Sequence, residues 1–144
     1  VAVTGKFYGL AVTSLLNGQI NFPTATVKAM LVTSSYSPNQ DTHRWKSDIT
    51  GEATGTGYTA GGQTLTSKTV TYTAGTNTTA IDAADPSWTT TTVTARYLVV
   101  YVDTGTATTS PLICYVDFGA DVTSTGGTFL AQIPAAGLAT ITAA

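Results

Sequence analysis

His43 is the only histidine in the chain, and Asp41, Asp48 and the serines Ser34, Ser35, Ser37 and Ser47 stand close to it. A hydrolytic triad needs such a base, together with a serine nucleophile and an orienting carboxylate. Asp41-Thr42-His43-Arg44-Trp45 contains base and carboxylate, but no nucleophile-elbow pattern frames any of these serines. The segment therefore reads as a solvated or partner-facing loop, and no catalytic residue is expected. Gly55-Thr56-Gly57-Tyr58 and Gly61-Gly62 have the look of a nucleotide loop. Such loops work because a helix N-terminus follows and receives the phosphate. Here Gln63, Thr64 and Leu65 open a β pattern instead, so turns with positive φ are expected.

The carboxylates Asp41, Asp48, Glu52, Asp82, Asp85, Asp103, Asp117 and Asp121 form no calcium loop. Asp82 and Asp85 lead into Pro86, and Asp103 leads into Thr104-Gly105, which are turn signals. Asp117 lies late in one apolar strand and Arg96 begins the preceding one, so a hairpin could pair them as an ion pair. Cys114 is the single cysteine and excludes an internal disulfide. It alternates with Leu112, Val116 and Phe118, which predicts a buried, inert thiol. No metal and no cofactor is expected.

Large aromatic side chains dominate binding hot spots. Trp88 lies in an alternating stretch and reads as core. Trp45 lies in the long segment Ser35 to Thr50, rich in turn residues, with His43, Arg44 and Lys46 beside it. Long ordered loops are usually functional. Tyr36, His43, Arg44, Trp45 and Lys46 are thus the candidate partner-binding residues. The alternative is a loop that folds over an open end of the domain and buries Trp45.

The elements that position these residues are mostly strands. Arg96 to Val102 is apolar on both faces, which predicts a strand covered on both sides. Leu112 to Phe118 is its expected hairpin partner. Further strands are predicted over about Thr26 to Ser34, Thr64 to Thr73, Thr78 to Ala83, Ser87 to Thr94, Thr128 to Ile133 and Leu138 to Thr142. Gln19 to Phe22 also alternates. Gly5 to Leu16 carries Phe7, Leu10, Ala11 and Leu15 at helical spacing, with Asn17-Gly18 as a stop. The pattern predicts an all-β single domain over residues 1–144. Its architecture is an antiparallel β-sandwich or flattened, jelly-roll-like barrel, with at most one or two short helices near the N-terminus.

The chain has 144 residues, of which only 10% are charged, and a net charge of −2. Lys6, Lys28, Arg44, Lys46, Lys68 and Arg96 make no basic stripe, which argues against nucleic acid. No apolar run approaches the roughly 20 residues of a membrane-spanning helix. No secretory signal is visible, and Val1 in first place fits loss of an initiator methionine. Threonine hydroxyls make a β surface polar without charge, which suits close packing beside other protein surfaces but is also common to β domains in general.

The ordered series VKAMLVTSSYSP (Val27 to Pro38), GTGYTAGGQTL (Gly55 to Leu65), ARYLVVYVDTGT (Ala95 to Thr106) and SPLICYVDFG (Ser110 to Gly119) resembles small virion proteins of tailed bacteriophages. KFYGLAVTSLLNGQINF (Lys6 to Phe22) fits the same pattern. The resemblance covers most of the chain and implies a structural component assembled in the host cytoplasm. It carries over no catalytic residue. The expected role is a capsid decoration or cement protein that stabilises the head by binding the assembled shell. The expected partners are the major capsid protein and copies of itself, as a homo-oligomer on the particle. A tail or fibre component that reads host glycans through Trp45 or Tyr36 is the alternative.

Overall fold

A computed structural model of the chain describes residues 5–144. The fold is an all-β sandwich of two antiparallel sheets with one α-helix, and the sheets do not close into a barrel. Its strands are β1 (Gly5–Phe7), β2 (Val27–Val32), β3 (Gln63–Thr64), β4 (Thr69–Thr73), β5 (Thr78–Asp82), β6 (Ser87–Val102), β7 (Leu112–Leu130) and β8 (Ala139–Thr142). Helix α1 spans Gly9–Leu16. The larger sheet has the order β1-β7-β6-β2-β3, and the smaller the order β4-β5-β8.

The β6–β7 hairpin is the spine. Tyr97, Leu98, Val99 and Val100 of β6 face Asp117, Val116, Tyr115 and Cys114 of β7. On the other side β2 runs beside β6 from Val27↔Val102 to Val32↔Tyr97. Leu98 to Val102 are all buried, as a strand apolar on both faces requires. The segment between β2 and β3 covers the Tyr97, Val99 and Tyr101 face. There Tyr36 meets Tyr97 edge-on at 5.8 Å, and the Tyr101 hydroxyl donates to the Gly61 carbonyl at 2.7 Å. Cys114 is fully buried and unpaired, and burial pushes its thiol far up. The folded state therefore holds little reactive thiolate.

Several predicted elements differ from the observed ones. Gly5 to Phe7 is a strand and not the first turn of the helix, because Gly5↔Val116 to Phe7↔Cys114 pairs it with β7. Only glycine fits at position 5, where a Cβ would collide with the Leu138 carbonyl. Gln19 to Phe22 forms no strand. Thr64 to Thr73 is divided between the two sheets at Ser67, which takes φ 53°. Ser87 to Thr94 and Arg96 to Asp103 are one strand, and Leu112 to Phe118 and Thr128 to Ile133 contribute to one strand that ends at Leu130. The register passes from Ala95↔Val122 to Tyr97↔Asp117. Phe118 to Asp121 thus bulge opposite the single residue Arg96, with Gly119 at φ 82°.

Candidate functional site

The loop after β2 is fixed to the spine by its own backbone. Lys46 N–H donates to the Ser110 carbonyl and Leu112 N–H to the Arg44 carbonyl, each at 2.8 Å. This is a short antiparallel bridge centred on Trp45↔Pro111. Asp48 completes the turn. Its Oδ2 accepts the N–H groups of Arg44 and Trp45, both at 2.8 Å. Asp48 therefore satisfies backbone donors and does not orient His43.

His43, Arg44, Trp45 and Lys46 are half-buried and come together as predicted neighbours. The Arg44 guanidinium lies 4.7 Å from the centre of the Trp45 ring. It also donates to Ser14 Oγ at 3.3 Å and Gln19 Oε1 at 3.0 Å, which ties the loop to α1. The Lys46 ammonium lies 5.1 Å from the centre of the Tyr101 ring. Trp45 is neither a fully exposed platform nor a core residue; one part of it is packed and another reaches solvent.

Tyr36 is a correction. It is 2% exposed, so its ring is not presented to a partner or a sugar. Its hydroxyl sits between the Tyr8 hydroxyl at 2.9 Å and His43 Nδ1 at 2.8 Å. Asn39 N–H also points at His43 Nδ1, at 3.3 Å, so that nitrogen is the acceptor. Tyr36 then donates to His43 and accepts from Tyr8. Burial pushes the Tyr36 hydroxyl up to about 12 and the Tyr8 hydroxyl higher still. Tyr8 packs on Tyr115 at 5.1 Å, completing a buried aromatic cluster with Tyr36 and Tyr97. Tyr8 had no local signal in the sequence, since its partner Tyr36 lies 28 residues away. None of the four nearby serines hydrogen-bonds His43.

The glycine-rich segment behaves as its turn reading requires. Gly57, Gly61 and Gly62 take φ 78°, 91° and 78°. Glu52 accepts from the Tyr58 hydroxyl at 2.8 Å and from Gly61 N–H. Asp85 accepts from Ile133 N–H at 2.9 Å. Among the described residues, no group of three or more His, Cys, Asp or Glu side chains gathers as a metal site. No described helix is long and apolar enough to cross a membrane.

Among the described residues two ion pairs brace the spine: Lys28–Asp103 at 2.7 Å beside its turn end and Arg96–Asp117 at 2.6 Å midway along the hairpin. The second is the hairpin pair expected from sequence. The Lys28 ammonium, then Gly105 N–H, hold the Asp103 carboxyl below its ordinary value of 3.8. The Arg96 guanidinium, with Gly119 N–H adding to it, does the same for Asp117. A carboxylate depressed in the folded state stabilises the fold above its unfolded pKa, and that contribution is lost as pH falls through the folded value. Denaturant melts should thus show the stabilisation from these two groups present in full and constant with pH near neutrality, and falling below about pH 4. Asp103→Asn should flatten part of that acid limb.

Comparisons of the chain with protein-family models, with curated proteins and with solved structures gave no match.

Proposed function

We propose that this chain is a structural protein of a tailed-phage virion that cements the head by binding the assembled shell. Its action is non-catalytic: it buries surface against neighbouring shell subunits and so favours the assembled state. The sequence resemblance supports the phage setting. The geometry that carries the binding role is the pinned segment Arg44-Trp45-Lys46. A half-buried tryptophan, flanked by a stacked guanidinium and held by backbone bonds to Ser110 and Leu112, is already ordered before any partner arrives. Such preorganisation removes much of the entropy cost of docking. Beside it, α1 exposes Leu15 and Leu16, the latter 82% open to solvent, and α1 carries no charged side chain. The engaged side chains of Tyr36, His43 and Asp48 serve to hold this surface in place.

Trp45→Ala tests the assignment. Binding to heads that lack the protein should weaken by about 2 kcal/mol or more, the scale of a hot spot. The isolated domain should lose less than the about 3–5 kcal/mol of a core aromatic truncation, because Trp45 is only half-buried. Undiminished binding, measured by titration onto purified heads together with thermal melts of the free domain, would remove Trp45 from the interface.

A further inference from the structure

The smaller sheet ends on β4, and no other described strand pairs with its outer edge. All five residues of β4, Thr69-Val70-Thr71-Tyr72-Thr73, are exposed. Natural proteins protect such an edge with charge, proline or a bulge, because its free N–H and C=O groups template another strand. β4 has none of these. It contains no charged residue and no proline, and its pairing with β5 runs unbroken from Thr69↔Asp82 to Thr73↔Thr78. The neighbouring Lys68 is turned away to the Ala25 carbonyl.

The residue pattern of this edge says what fits it. Val70 and Tyr72 share one face of the strand, and Thr69, Thr71 and Thr73 share the other. By residue class the strand is therefore symmetric about Thr71. A two-fold axis there sets Thr71 against its own copy, Thr69 of one copy against Thr73 of the other, and Val70 of one copy against Tyr72 of the other. Aromatic–β-branched and Thr–Thr pairs are favourable cross-strand neighbours. The backbone also matches. Outward-facing groups belong to alternate residues of the strand, and this register sets outward residues opposite outward residues whichever set they are. A slip by one residue would place the apolar pair on opposite faces of the joined sheet. Val70 and Tyr72 are 48% and 57% exposed, so apolar surface is open to be covered. No charge sits in the strand to repel its copy.

We propose that β4 is a homodimerisation edge, through which two copies join antiparallel about Thr71 into one continuous six-stranded sheet. The interface is isologous, as a two-fold dimer requires. It stands on the strand alone and holds whatever the chain binds elsewhere.

Residue 71 meets itself across the axis, and this permits a charge-swap test. Thr71 is exposed in the single chain, so in samples dilute enough to be monomeric Thr71→Lys and Thr71→Glu should melt within a few degrees of the unsubstituted chain. By sedimentation equilibrium the unsubstituted chain should dimerise. Each variant alone should dimerise about tenfold or more weakly, since like charges then stand directly opposite. An equimolar mixture of the two variants should recover dimerisation, as Lys against Glu. A chain that is monomeric at every soluble concentration would overturn the proposal. So would variants that dimerise as well as the unsubstituted chain, or a mixture no stronger than its components.

Discussion

Trp88→Ala is expected to destabilise the domain by about 3–5 kcal/mol, the range for truncating a buried large aromatic. For a chain of this size that lowers the melting temperature by roughly 10 °C or more. Trp88 is 3% exposed near the start of β6, directly opposite Phe129 of β7. Its ring meets Phe129 edge-on at 6.2 Å and Tyr58 at 5.8 Å. It therefore joins the far end of the spine to the glycine-rich segment that covers it. The indole Nε1–H is buried without a hydrogen-bond partner. Trp88→Phe removes that orphaned donor while keeping an aromatic ring. It should cost clearly less than Trp88→Ala, because relief of the unpaired polar group offsets part of the lost packing. Calorimetry of the two variants checks both the size and the order of the effects.

Gly62→Ala is expected to cost about 2–5 kcal/mol, although it adds a single methyl group. Gly62 takes φ 78°, where an L side chain costs about 1–2 kcal/mol. Its Cβ would also be driven into the Ala29 carbonyl and against the Met30 backbone. Those atoms belong to β2, next to the Ala29↔Gln63 pair of β2 and β3. The clash is with backbone inside a sheet, so no rotamer change relieves it, and overpacking adds about 1–3 kcal/mol. Gly75→Ala is the control. Nothing lies near its added Cβ and its backbone is unstrained, so it should be neutral or slightly stabilising. Urea melts of the two variants should separate them clearly.

These two positions show what could be read from the sequence. The turn role of Gly61-Gly62 followed from the β pattern after it, and the core role of Trp88 from alternation. The Arg96–Asp117 pair and the buried Cys114 followed from the hairpin, where local pattern and pairing agree. Strand lengths were not legible for a physical reason. β6 changes from polar-apolar alternation before Ala95 to apolar on both faces after it, because only its second half is covered on both sides. Gly119, Gly126 and Gly127 look like turn residues in a sequence, yet they lie within β7 and accommodate its irregular register. Tyr36 sits among loop-forming residues and is buried because Tyr8 and Tyr97 close on it from distant parts of the chain, with His43 of its own loop beside it. Burial of that kind has no local signature. His43 to Lys46 are consecutive in the sequence, and the bridge to Pro111 that fixes Arg44, Trp45 and Lys46 has no signature in it.

The central claim, that the chain stabilises a phage head by binding the assembled shell, is tested most directly by titrating the purified protein onto two forms of the capsid protein. The account predicts saturable binding to intact heads, a raised head melting temperature, and little binding to dissociated subunits. Equal affinity for free subunits, or binding confined to tails or to host glycans, would contradict it.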